Sequence, residues 1–131
     1  MEHRGLSEEY TELAADLIET VPELEHLRGV EVTIGYLWSD RKKKSHGMTV
    51  YGECEKVPDK LKWCVPFDFL VVIYDQNCAE MSEEKLKILL IHELMHVGIE
   101  EKENGLRYYI RPHDTQDFRK ILETYGYGWQ N

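Results

Sequence analysis

Apolar residues near the start of the chain recur with the spacing of a helix. They follow the pattern i, i+3, i+4, i+7, i+8 and i+11, at Tyr10, Leu13, Ala14, Leu17, Ile18 and Val21. This spacing forms one stripe of an amphipathic helix. Ser7 precedes the stripe as an N-cap, and Pro22 stops the helix. The pattern therefore predicts an N-terminal helix between these two residues.

The next segments alternate between apolar and polar positions, as half-buried strands do. The alternation covers residues 30–38 and then residues 48–54. The basic and glycine-containing stretch between them is typical of a turn, so we expect the two strands to pair as a hairpin. Residues 67–74 are almost continuously apolar and rich in β-branched side chains. That composition predicts a strand covered on both faces.

A second predicted helix is apolar on nearly every side. Ser82 is a suitable N-cap for it, and residues 86–97 are mostly apolar. A helix of this kind lies inside a domain, because it has no polar face to present to water. We expect Gly98 to end the helix. A polar loop over residues 100–104 and a short strand over residues 106–110 follow.

A last helix is predicted near the C-terminus. Asp114 or Thr115 would cap it, and its apolar stripe consists of Phe118, Ile121, Leu122 and Tyr125. The order of elements predicts an α+β fold in which about three to four strands pack on the buried helix, with N- and C-terminal helices beside them. The chain length predicts one domain over residues 1–131.

The candidate chemistry lies on the buried helix, in the sequence His92-Glu93-Leu94-Met95-His96. Two imidazoles four positions apart lie on one face of a helix, so both can bind the same metal ion. The pattern is typical of zinc enzymes, in which the glutamate accepts a proton from a water molecule at the metal. The structural alternative is a buried helix whose histidines are individually hydrogen-bonded. Polar groups in so apolar a helix are costly, which favours the metal site.

A catalytic zinc needs a third protein ligand and one open position. Metzincin spacing would put that ligand at Lys102, which is a poor ligand at neutral pH, so the metzincin pattern is absent. The later candidates are Glu100, Glu101, Glu103, His113, Asp114 and Asp117. We expect His113, because Pro112 stiffens its approach and the next helix fixes its exit. Asp114 competes locally, but it is also a natural N-cap. Asp114 and Asp117 are further candidates to accept a hydrogen bond from a ligand histidine.

Two segments resemble a known family. Residues 89–97 and Pro112-His113-Asp114-Thr115-Gln116-Asp117-Phe118 look like the putative phage metallopeptidase family. Its members are small zincin-like proteins of phages and mobile elements, related in general shape to SprT-like metalloproteases. The first segment is shared by many zincins, whereas the second is more specific to the family. The resemblance implies a zinc peptidase with Glu93 as general base and three zinc ligands: His92, His96 and His113.

Composition mainly excludes functions. The 131 residues include 16 basic and 25 acidic side chains, and the net charge of −9 disfavours nucleic-acid binding. The apolar run over residues 69–74 is too short to cross a bilayer. The N-terminus lacks the pattern of a secretory signal, so we expect a cytoplasmic protein. Its three scattered cysteines, Cys54, Cys64 and Cys78, are then expected to be reduced thiols.

The sequence therefore predicts a zinc-dependent metallopeptidase that hydrolyses peptide or protein substrates. One alternative is a non-enzymatic binding module with a structural zinc, which would need a fourth protein ligand. The other is a metal-dependent hydrolase that acts on a nucleic acid through the basic residues 41–44. We expect that basic run to be a solvated turn, because the whole chain is acidic.

Overall fold

The computed structural model describes residues 1–112, in which helices and strands alternate in an α+β arrangement. In chain order the elements are β1 (Arg4–Leu6), α1 (Glu8–Thr20), β2 (Ile34–Ser39), β3 (Lys44–Ser45), β4 (Met48–Thr49), β5 (Gly52–Lys56), β6 (Phe69–Tyr74), α2 (Glu83–Leu94), β7 (Val97–Lys102) and β8 (Gly105–Ile110). Two short 3-10 helices cover Pro22–Leu27 and Asp59–Leu61. The predicted C-terminal helix lies outside the described residues.

The main sheet has four strands in the order β1-β2-β6-β5. β6 runs parallel to β2, with Ile34 opposite Phe69 and Ser39 opposite Tyr74, while β1 and β5 are antiparallel edge strands. The predicted hairpin between residues 30–38 and 48–54 is therefore wrong. β6 takes the place between them because it is the most apolar strand, and a central position buries all of its residues except Leu70, which is partly buried. Residues 44–49 form a small hairpin of their own from β3 and β4.

The predicted N-terminal helix is confirmed in α1. The Ser7 hydroxyl accepts a hydrogen bond from the Tyr10 N–H, which caps the first turn. At the other end, the Arg28 guanidinium donates to the carbonyls of Ile18 and Val21 at 2.6 and 2.7 Å. These bonds satisfy carbonyls that a helix end otherwise leaves exposed. Just before α1 lies β1, a strand too short for its alternation to be recognised in the sequence.

The core lies between the sheet and the two α-helices. Side chains of α1, α2 and β6 share one apolar cluster, whose fully buried members include Ala14, Leu89, Leu90, Leu94, Val71 and Ile73. Every residue of α2 from Ile88 to Leu94 is buried. This confirms the prediction of a helix apolar on all sides inside the domain. In the part of the chain that the structure describes, no helix is long and apolar enough to span a membrane.

The end of α2 differs from the prediction. The helix stops at Leu94 rather than running to residue 97, and Gly98 lies inside β7 instead of ending the helix. β7 pairs with β8 from Val97 opposite Ile110 to Lys102 opposite Gly105, so most of the expected polar loop is strand. A Cβ on Gly98 would lie 2.6 Å from the Tyr109 ring and 2.7 Å from the Tyr109 carbonyl oxygen. Glycine is therefore required here for close strand contact.

Candidate metal centre

His92 and Glu93 lie in the last turn of α2, where the helix is pressed into the core. His92 is 8% exposed and Glu93 is 3% exposed. The neighbouring apolar positions of the helix anchor this turn against the sheet. An imidazole and a carboxylate are thus held in an environment where polar groups are costly unless they have partners. Both residues do take part in polar or ring contacts.

His96 lies two positions after the end of α2, so the two histidines do not share a regular helix. Its backbone N–H donates to the Glu93 carbonyl at 3.1 Å, which adds one tight turn after Leu94. This turn keeps the spacing that the motif predicts. The ring centroids of His92 and His96 are 5.2 Å apart, with an interplanar angle of 79°. The structure therefore brings both predicted imidazole ligands together.

The His96 ring is oriented by the end of β8. Its Nδ1 lies 2.7 Å from the Arg111 carbonyl oxygen, and the Arg111 N–H donates to the His96 carbonyl, also at 2.7 Å. A carbonyl oxygen only accepts hydrogen bonds, so Nδ1 must carry the proton in this contact. Nε2 then carries the lone pair with which an imidazole binds a metal. Metal-binding histidines commonly have such a carbonyl partner at the other ring nitrogen.

The described residues place no third metal-binding side chain beside His92 and His96. No group of three histidine, cysteine, aspartate or glutamate side chains suited to a metal occurs among residues 1–112. The glutamates of β7 and its turn, candidates at 100, 101 and 103, therefore do not join His92 and His96. Glu100 instead pairs with Arg107 at 2.8 Å. The hydrogen bonds and ion pairs that this carboxylate makes to Arg107 and Lys102 lower its pKa. His113, Asp114 and Asp117 lie outside the described residues.

The edge strand β5 runs beside the motif. A Cβ on Gly52 would lie 3.4 Å from the Leu89 side chain, which places the start of β5 against α2. Further along the strand, burial and then the nearby charge of Glu93 raise the pKa of the Cys54 thiol. The strand therefore passes from Leu89 toward Glu93, one helical turn later. Within residues 1–112, β5 has a partner strand on one side only, which is β6. The sequence did not predict that β5 lies beside the motif, because its alternation indicated pairing with residues 30–38 instead.

The donor set suits zinc. Two neutral imidazoles are ordinary zinc ligands, and one of them is already held in the tautomer that leaves Nε2 for the metal. The neighbouring carboxylate of Glu93 is buried and follows the first imidazole directly. This arrangement can hold a divalent ion and move a proton beside it.

Comparison with known families agrees with these observations. The family model described as "Putative phage metallopeptidase" matches residues 5–131. The chain belongs to this family. The match covers nearly the whole chain and confirms the resemblance drawn from residues 89–97 and 112–118. The family description names a metallopeptidase, so membership points to a hydrolase with a metal cofactor and peptide substrates. No curated protein and no solved structure shows a significant match to the chain.

Proposed function

We propose that this phage-type metallopeptidase is a zinc-dependent peptidase whose residues 1–131 form one zincin-like domain. His92 and His96 bind the zinc through imidazole nitrogens, and Glu93 is the general base. The observation that supports this most directly is the paired rings of His92 and His96, with His96 Nδ1 turned to the Arg111 carbonyl. That contact leaves Nε2 to the metal.

His113 is the proposed third ligand. Arg111 stands two positions before it and is hydrogen-bonded to His96 in both directions. Only Pro112 separates the two residues in the sequence, so His113 follows closely on the residue that holds the His96 ring. Within the described residues the motif supplies two imidazoles, those of His92 and His96. His113 as a third ligand would complete a three-residue site with one open position.

Glu93 is placed to act as the general base, because its buried carboxylate directly follows the first histidine of the motif. Zinc, when bound, acidifies a water molecule and polarises the scissile carbonyl of a peptide. The Glu93 carboxylate would accept the proton of the attacking water and pass it to the nitrogen of the leaving amine. Proton transfer by a positioned side chain typically contributes about 10² to 10⁴ in rate. Burial excludes bulk water from this carboxylate, so the proton stays with the reacting groups.

The edge strand β5 is the proposed site for the substrate backbone. An extended peptide can add to a sheet edge through main-chain hydrogen bonds. β5 passes the last turn of α2, so a peptide paired with its outer edge would lie near Glu93. The nucleic-acid alternative has less support, because Lys43 of the basic run is paired with Glu53. The alternative of a structural zinc needs a fourth protein ligand in addition to His113.

The test of the general base is Glu93→Gln. The amide keeps the shape of the side chain but cannot accept the proton, so the variant should bind zinc normally and lose hydrolysis of a quenched fluorescent peptide library by about 10² to 10⁴. Glu101→Gln, on the exposed part of β7, is the matched control and should retain full activity. Hydrolysis by the Glu93 variant at the wild-type rate would overturn the assignment.

A further inference from the structure

His26 is a half-buried histidine that contacts both strands at the base of the β7–β8 hairpin. It lies in the 3-10 helix Pro22–Leu27. Its Nε2 is 3.0 Å from the carbonyl oxygen of Val97 in β7 and 3.2 Å from Nη1 of Arg111, directly after β8. Val97 follows His96 in the chain, and Arg111 is the residue hydrogen-bonded to His96. His26 therefore contacts the groups on either side of a proposed zinc ligand.

One ring nitrogen cannot satisfy both neighbours in the same way. With its proton on Nε2, His26 donates to the Val97 carbonyl. With its proton on Nδ1, His26 accepts at Nε2 from the Arg111 guanidinium. Either neutral tautomer fastens one strand of the hairpin to the 3-10 helix. In either tautomer, His26 therefore makes one hydrogen bond that holds the base of the hairpin against the 3-10 helix.

The hairpin base is what orients His96. The backbone N–H of His96 donates to the Glu93 carbonyl in the turn after α2, so it is not available to the Arg111 carbonyl. The ring Nδ1–H of His96 donates to the Arg111 carbonyl in its place. In antiparallel pairing, hydrogen-bonded and non-hydrogen-bonded pairs alternate. Since His96 is hydrogen-bonded to Arg111, the next residue, Val97, directs its carbonyl away from β8. That carbonyl is the one that His26 meets.

We infer that His26 is a positioning residue for the metal centre. By fastening the hairpin base to the 3-10 helix, through Val97 in one tautomer and through Arg111 in the other, it keeps the Arg111 carbonyl on His96 Nδ1 and so keeps His96 in the tautomer that presents Nε2. The consequence for zinc rests on the proposed function, whereas the effect on the His96 ring does not. His26 does not itself form a three-member metal cluster with His92 and His96 in the described part of the chain.

The test compares His26→Ala with His26→Gln in the full-length protein without metal. A glutamine amide offers both a donor and an acceptor, so it can replace the imidazole contacts. Long-range ¹H–¹⁵N correlation spectra at pH 8, where ordinary imidazoles are neutral, report which nitrogen of His96 carries the proton. Wild type and His26→Gln should show His96 protonated at Nδ1. His26→Ala should show a mixture of both tautomers. His46→Asn, at an exposed turn, should match wild type.

A titration with Zn²⁺ gives a second measurement. The alanine variant should bind zinc about tenfold more weakly, as loss of an outer hydrogen-bonding partner typically does, and the glutamine variant should recover most of that affinity. If the alanine variant does not fold, His26→Leu replaces it, because leucine keeps the volume without the polar contacts. An unchanged His96 tautomer in the folded apolar variant would overturn the inference, as would a folded glutamine variant that fails to restore it. Failure of wild type to bind zinc would contradict the proposed function, while the spectra would still decide the role of His26.

Discussion

His96 and Arg111 are joined twice, through the His96 ring and through the Arg111 backbone, and both contacts are 2.7 Å long. The pair lies where α2 ends and the β7–β8 hairpin begins. The His96 imidazole is therefore oriented by the residue that follows β8 rather than by α2. The orientation of the His96 ring beside His92 therefore depends on tertiary structure, through how closely the hairpin packs on the end of α2.

The close packing of β7 on β8 gives the first prediction. Gly98→Ala would place a Cβ within 2.7 Å of the Tyr109 carbonyl oxygen, a backbone atom that cannot move aside as a side chain can. Overpacking of this kind typically costs about 1 to 3 kcal/mol in the free energy of unfolding. Urea denaturation measures the loss. Glu101→Ala, three residues along the same strand and exposed, should stay within about 0.5 kcal/mol of wild type. Equal stability of the Gly98 variant would contradict the close contact.

Local sequence patterns predict the helices and strands themselves better than the residues at which they end or the strands with which they pair. The caps Ser7 and Ser82 and the buried face of α2 follow from residues close together in the chain, and all three are confirmed. The predicted C-cap at Gly98 is wrong, although a glycine after an apolar helix is typical of one. The contact that explains it is with Tyr109, which only strand pairing brings close.

The order of strands in the sheet could not be predicted from local patterns either, because it depends on pairing between residues far apart in the chain. Pairing of β2 with β6 joins residues about 35 positions apart, and nothing in the alternation of residues 48–54 favours β6 over β2 as a partner. In the candidate site, the spacing of His92 and His96 was sufficient to predict their proximity. The contact of His26 with Val97 spans 71 positions and leaves no local signal.

The basic run gives a second prediction, which refines the expectation that it is simply a solvated turn. Lys43 has a side chain only 24% exposed and pairs with Glu53, which also accepts a hydrogen bond from the Tyr74 hydroxyl. Lys43→Ser should therefore lower the free energy of unfolding by about 1 kcal/mol. Lys42→Ser and Lys44→Ser, at exposed positions, should change it by less than about 0.5 kcal/mol. Equal effects at all three positions would contradict this distinction.

The same variants test the nucleic-acid alternative. With a net charge of −9 and Lys43 engaged by Glu53, we expect the wild-type protein to show no salt-dependent binding to DNA or RNA in fluorescence anisotropy. Binding that falls steeply with salt and is lost in the Lys42 and Lys44 variants would instead favour a hydrolase of nucleic acids.

The cysteines differ in predicted reactivity. Burial, and then the charge of Asp75, raise the pKa of Cys78 to about 12. Burial followed by the charge of Glu93 raises the pKa of Cys54 as well. At pH 8 a thiol of pKa 12 is ionised in roughly one molecule in ten thousand. Because the thiolate is the reacting form, iodoacetamide should label the exposed Cys64 far faster than the other two.

Peptide mapping after short labelling measures these rates. Cys64→Ser should abolish the fast phase, and labelling in denaturant should make Cys54 and Cys78 reactive. Fast labelling of Cys54 in the folded protein would contradict its position on the buried side of β5, beside Glu93.

The most direct test of the zinc site is X-ray absorption at the zinc edge on the full-length protein, with zinc content measured on the same sample. We expect one zinc per chain with three imidazole nitrogens at about 2.0 to 2.1 Å and one oxygen. His113→Ala should lose one nitrogen and most of the affinity, whereas Asp114→Ala should keep all three nitrogens. A wild-type protein that takes up no stoichiometric zinc would contradict the account. So would a zinc held by four protein ligands, or a His113→Ala variant that keeps all three nitrogens.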